Sequence, residues 1–120
     1  MLRSLLLLMA VLPSANAFAQ TPPRADVSKY PSKVVRMTVG YAPGGAVDVS
    51  ARILAQKMTE VLGQNVVVEN RPGADGNLAS DLVAKSSPDG HTLAYVSAGH
   101  TMNPAMYPKS LPYHPVRDFA

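Results

Sequence analysis

The sequence predicts an α/β fold with a parallel sheet, on three observations. Runs of aliphatic and β-branched residues alternate with stretches whose apolar residues recur at helical spacing, in the order β-α-β-α-β. The first two strand-like runs lead into glycine-bearing turns, Pro43-Gly44-Gly45 and Gly73-Ala74-Asp75-Gly76. The intervening helical stretches supply the crossovers, of about a dozen residues or more, that parallel neighbours require.

Gln20 to Ser32 is rich in proline and small residues and reads as an extended lead-in. Val34 to Gly40 is the first strand, and Arg36 and Thr38 interrupt its apolar run, so its start is expected to be incompletely buried. From Ala46 to Leu62 the residues Val47, Ala51, Leu54, Met58, Val61 and Leu62 keep a helical period, and Gly63 closes the helix. Val66 to Glu69 is a short second strand, followed by the turn Asn70-Arg-Pro-Gly73. Leu78, Ala79, Leu82, Val83 and Ser86 give a shorter helix that Pro88-Asp-Gly90 breaks, and Thr92 to Val96 is the third strand. Met102 to Tyr113, with Pro104, Pro108 and Pro112, is expected to be a connector holding at most one helical turn.

Residues Met1 to Ala19 read as an export signal: Arg3 supplies the positive start, Leu5 to Leu12 the apolar centre and Ala17-Phe-Ala19 a small-x-small cleavage site before Gln20. The apolar run falls well short of the ~20 residues that span a bilayer. The formal charge is +3, or +2 once Arg3 leaves with the signal, and the basic residues are scattered singly, so no nucleic-acid partner is expected. The absence of cysteine excludes a disulfide scaffold and fits a soluble periplasmic protein. The chain ends in Pro115-Val-Arg-Asp-Phe-Ala120 with neither a cap nor a polar tail, and the visible strands are fewer than a parallel sheet with two covered faces needs, so a piece of a longer protein is expected.

With right-handed crossovers, ligands of such a sheet collect outside the carboxyl ends of the strands. Three segments lie there: Tyr41 to Gly45, Asn70 to Asn77 and Ser97 to Asn103. The first is the more specific. A strand that runs through Gly44-Gly45 into a helix leaves free backbone amides at a positive dipole end, with no side chains to keep an anion away. The competing reading is a plain tight connection. Asp48 is placed either to satisfy the helix start or to touch a ligand, and Arg52 lies one turn on, in reach of it. Arg71 reads as a solvated turn residue or a partner for a neighbouring carboxylate.

Catalytic signals are thin. There is no Gly-x-Ser-x-Gly elbow, phosphate loop or dinucleotide fingerprint. His91, His100 and His114 are too dispersed for a zinc site and read as surface or loop residues, with His100 notable for its place in the third segment. No metal and no cofactor are expected.

Several motifs together carry a resemblance: Tyr30-Pro-x-Lys33, Pro43-Gly-Gly-x-x-Asp-x-x-Ala-Arg52, Leu62-Gly-Gln64, Val67-Val-Glu-Asn-Arg-Pro-Gly-Ala74, Pro88-Asp-Gly90, Asn103-Pro104 and Tyr113-x-Pro-Val-x-Asp-Phe119. They are similar in order and spacing to the Bug family, the periplasmic receptors of tripartite tricarboxylate transporters. The resemblance implies a two-lobed periplasmic binding protein of type II, the Venus-flytrap α/β fold, of which residues 33–120 are the N-terminal part of lobe 1. It further implies a small carboxylate as ligand, membrane permease subunits as partners, and no enzymatic step. On this reading the carboxylate is held largely by backbone amides and ordered water. The ligand-facing set is Tyr41, Pro43, Gly44, Gly45 and Asp48 in the first connection, Ala74, Asp75, Gly76 and Asn77 in the second, and Ser97, Ala98, Gly99, His100 and Asn103 in the third. The chain departs from the family pattern at Asp75 and Ala79, where glycines are common, and at His91, where an aromatic residue is usual. An exported α/β enzyme acting on an anion, and a receptor serving a signalling partner, stand as alternatives.

Overall fold

The computed structural model describes residues 27–119. The expected signal Met1–Ala19, its cleavage before Gln20, the first part of the lead-in and Ala120 lie outside the described residues. The described part of the lead-in is not wholly extended, since Val27–Lys29 form a 3-10 turn. Three parallel strands follow, β1 (Val35–Val39), β2 (Val66–Asn70) and β3 (Thr92–Tyr95), in the order β2-β1-β3. Between them run α1 (Ala46–Leu62) and α2 (Asn77–Ala84), the latter preceded by a 3-10 turn at Ala74–Gly76. A third helix, α3 (Gly99–Met106), comes after β3.

β1 is central, pairing Val35 to Val39 with Val66 to Asn70 on one side and Arg36 to Val39 with Thr92 to Tyr95 on the other. Its alternate residues point to opposite faces. Val35, Met37 and Val39 are almost wholly buried in one cluster with Ala51 and Ala55 of α1 and Val66 of β2, each valine or methionine side chain contributing about 2 kcal/mol by leaving water. Thr38 faces the other way, where it shares a crevice with Ala79 and Ser80 of α2. One helix on each face makes the sheet doubly wound, as the element order predicts.

The face that α1 presents is shifted from the expected stripe. Asp48, Ala51 and Ala55 are buried, whereas Leu54 and Val61 are exposed. Small alanines let the helix lie close to β1, and the larger residues flank that line of contact. Thr59 joins the helix to the next strand, its hydroxyl donating to the Ala55 carbonyl at 2.9 Å and accepting the Val66 amide at 2.9 Å. Gly63 ends α1 with φ 65° and donates its amide to the Thr59 carbonyl at 3.1 Å, a left-handed closure that glycine adopts without strain.

Two expectations are corrected. Gly99–Met106 is an eight-residue helix, so the third segment is largely helical and the Met102–Tyr113 connector begins inside it. Pro104 costs a helix interior about 3 kcal/mol, but α3 is anchored by the fully buried Asn103 and by His100, which stacks on Tyr113 at 5.5 Å between ring centroids. His91 is buried rather than surface-lying. Tyr30 covers it edge-on at 5.0 Å, and its Nε2 accepts the Ser32 amide at 3.2 Å.

The lead-in is tied down beside His91. Tyr30 Oη donates to the Gly90 carbonyl at 2.7 Å and Lys33 Nζ lies 2.9 Å from Asp89 Oδ2. That lysine, with the His91 amide, holds the Asp89 carboxyl at about 2, below its usual 3.8. A carboxyl with a lowered folded value contributes stability that is complete above about pH 4 and lost as pH falls through about 2. Lys33→Met is therefore expected to flatten the fall in stability over this acid range in urea melts. An unchanged slope would show that the pair does not persist in solution.

Candidate functional site

The three carboxyl strand ends converge because the chain is nearly bare of side chains where two of its connections touch. A Cβ on Gly40, at the end of β1, would lie 2.4 Å from the Cα of Gly76. The connections after β1 and β2 therefore meet backbone to backbone, a contact that only glycine at position 40 permits. Gly40 is absent from the sequence-derived set, although a glycine closing an aliphatic strand is itself a sign of close backbone approach.

Tyr41 comes next and ties the three connections together. Its hydroxyl makes a short hydrogen bond with Ser97 Oγ, and lies 3.4 Å from Asp75 Oδ1 and 3.5 Å from the Asp75 carbonyl. Ser97 Oγ also accepts the Gly99 amide at 3.2 Å. The Tyr41 ring packs over Gly76, whose missing Cβ would stand 3.5 Å from it. The space left between these groups and α3 is small, about 10 Å³, room for about one water molecule.

Pro43, Gly44 and Gly45 form the exposed rim. Gly44 has φ 83° and nothing within 4 Å of where a Cβ would be, and Gly45 begins α1 without any side-chain cap. The first-turn amides of α1 are thus left uncovered by side chains beneath an open surface, the arrangement that accepts anions.

Asp48 is buried and bonds to that rim from within the fold. It is 2 % exposed, and its Oδ2 accepts the Gly44 amide at 2.8 Å and Arg52 Nε at 3.0 Å while its Oδ1 accepts Asn70 Nδ2 at 2.8 Å. Arg52, then Gly44 and Asn70, hold its carboxyl well below the usual carboxylate range against the opposing effect of burial. Asn70 completes the latch, donating to the Tyr41 carbonyl at 3.0 Å and accepting Arg52 at 3.1 Å. The role of Asp48 in this geometry is to shape the Gly44-Gly45 turn, with Arg52 offsetting its charge. Asn70 is a second residue that the sequence-derived set lacks.

The remaining members divide into two layers. Ala74, Asp75 and Ala98 are exposed at the strand ends, with Gly76, Ser97 and Gly99 half-buried beside them. Asn77, His100 and Asn103 lie beneath, engaged with other protein groups. Asn77 Oδ1 accepts both Asn103 Nδ2 at 2.6 Å and Tyr113 Oη at 2.8 Å. His100 Nε2 lies 3.2 Å from the Pro115 carbonyl, which can only accept, so that nitrogen carries a proton; Nδ1 faces Ser80 Oγ at 3.3 Å. Arg71 pairs with Glu69 at 3.8 Å.

A site of this kind offers backbone amides, hydroxyls and one carboxylate, and it suits binding. Among the described residues no group of His, Cys, Asp or Glu is placed to hold a metal ion.

Comparison with known proteins bears on the family of the chain. Residues 50–120 match the model of the tripartite tricarboxylate transporter family receptor. The chain is 48% identical over 106 residues to the UPF0065 protein in the tcbD-tcbE intergenic region of Pseudomonas sp. (strain P51), covering 88% of this chain and 31% of that protein. Among solved structures it is similar to the periplasmic binding protein BugD, at 40% identity and a TM-score of 0.66, covering 72% of this chain and 28% of the other. It is also similar to MatC (Rpa3494) from Rhodopseudomonas palustris with bound malate, at 38% identity and a TM-score of 0.64, covering 74% of this chain and 30% of the other. The chain therefore spans about a third of the length of the relatives it matches.

Proposed function

We propose, from the premise that this chain belongs to the tripartite tricarboxylate transporter receptor family, that it forms the N-terminal part of lobe 1 of a two-lobed periplasmic receptor for a small carboxylate. Such a receptor closes on its ligand and releases it to permease subunits in the membrane. It performs no chemistry on the ligand. Residues 1–19 direct export on this reading, and mass spectrometry of the periplasmic protein is expected to find Gln20 at the N-terminus.

The observation that carries the proposal is the bare Gly44-Gly45 turn, latched by Asp48 and Asn70, at the carboxyl end of the central strand. Uncapped first-turn amides and an open surface above them favour a carboxylate without needing a cation. The malate in the related MatC structure is a ligand of this class.

Gly45→Val tests the turn. The residue has φ −75° and ψ 167°, and a Cβ there meets only the Ala42 carbonyl at an ordinary 3.6 Å, so the fold tolerates a side chain. Crowding above the amides is expected to weaken carboxylate binding at least about tenfold, roughly 1.4 kcal/mol, in titration calorimetry of the complete receptor. Unchanged affinity would remove the turn from the site.

A further inference from the structure

We infer that Asp75 biases the site against dianionic ligands and towards carboxylates that carry an ammonium group. This rests on the reading that the Gly44-Gly45 turn takes a carboxylate, and it adds what the rest of the ligand must be.

Among the described carboxylates Asp75 and Asp118 have no ion pair, and of the two Asp75 lies at the strand ends that carry the Gly44-Gly45 turn. Asp48, Glu60, Glu69, Asp81 and Asp89 each have a Lys or Arg nitrogen at 3.6 Å or closer. Asp118 accepts the His114 amide at 2.6 Å. Asp75, among the described residues, forms no ion pair, and its side chain receives only the Tyr41 hydroxyl at 3.4 Å.

Its position is held from several sides. Asp75 has φ 53° and ψ 41°, and Ala74 before it has φ 47°, so two consecutive non-glycine residues occupy left-handed backbone, a conformation kept only where the surroundings impose it. The loop is closed by the Gly76 amide on the Gly73 carbonyl at 3.0 Å, and the Asp75 carbonyl lies 3.5 Å from both Tyr41 Oη and Asn103 Nδ2. Its Oδ2 rests against Gly99, where a Cβ would stand only 3.0 Å away. The carboxylate is thus seated over the Tyr41-Ser97 hydrogen bond, at the same end of the sheet as the Gly44-Gly45 turn.

The consequence for a ligand follows from charge alone. A molecule with one carboxylate on the turn lies at the end of the sheet where Asp75 already carries a negative charge. A second carboxylate is repelled there and an ammonium is attracted, and both effects grow as closure excludes water. Asp75 is therefore a specificity determinant.

The test uses the complete receptor and three matched pairs that differ by an ammonium group: succinate with aspartate, glutarate with glutamate, and 3-phenylpropanoate with phenylalanine. Calorimetry is expected to show at least a tenfold preference for the amino member of whichever pair binds. Asp75→Asn, which keeps a side chain tolerant of the left-handed backbone, is expected to reduce that preference at least fivefold; if circular dichroism shows that it fails to fold, Asp75→Gly, suited to the same backbone, takes its place. A wild-type preference for the member without the ammonium group, or a ratio unchanged in the variant, overturns the role of Asp75 and leaves the carboxylate reading standing. Binding of none of the six probes overturns both.

Discussion

Gly40→Ala is expected to destabilise the complete receptor by about 3 kcal/mol, the upper range for forcing an extra carbon into packed structure, and to weaken its ligand at least about tenfold. The added methyl would stand 2.4 Å from the Gly76 Cα, 3.1 Å from its carbonyl oxygen and 3.2 Å from its carbonyl carbon. These are backbone atoms, so no rotamer change relieves the contact and one connection must move. Movement of the Ala74–Gly76 turn separates Asp75 from Tyr41 and lifts the ring of Tyr41 off Gly76. Thermal melting reads the first effect and titration calorimetry the second. A variant that melts as the wild type does would show that these two connections are not in contact.

A protein made of residues 20–120 alone is expected to bind small carboxylates at least about a hundredfold more weakly than the complete receptor, about 2.7 kcal/mol. In the described sheet β2 and β3 each pair on one side only. Ile53, Val61 and Met106 are 67%, 77% and 59% exposed, apolar surface that costs stability while it faces water. The rim at Gly44-Gly45 is open to solvent, and a flytrap gains affinity by closing a second lobe over the ligand and excluding water from it. The same chain is expected to melt without a sharp transition. A cooperative melt with the affinity of the complete receptor would end the two-lobe reading.

The sequence by itself determined the order of elements, the bounds of α1 and the closeness of Gly44-Gly45 to a helix start. These follow from local chemistry: helical periodicity over seventeen residues, β-branched runs, and Gly63 at a left-handed closure. It also carried the family, because several short motifs recur in register along the chain. What lay beyond it depended on which residues meet across distance. The eight residues of α3 contain a proline and have little helical pattern, and the helix exists because Asn103 and His100 find Asn77, Ser80 and Tyr113. Asp48 stands one turn from Arg52 in any helix, but only the fold brings Asn70 to its other oxygen and so satisfies it where it is buried. His91 is polar and sits in a turn, yet Tyr30, sixty-one positions earlier, covers it. The contact of Gly40 with Gly76 and the meeting of Tyr41, Asp75, Ser97 and Gly99 are of the same kind. Backbone preferences are settled within a few residues, whereas burial, pairing of charge and the composition of a site are decided by packing between segments that local sequence does not relate.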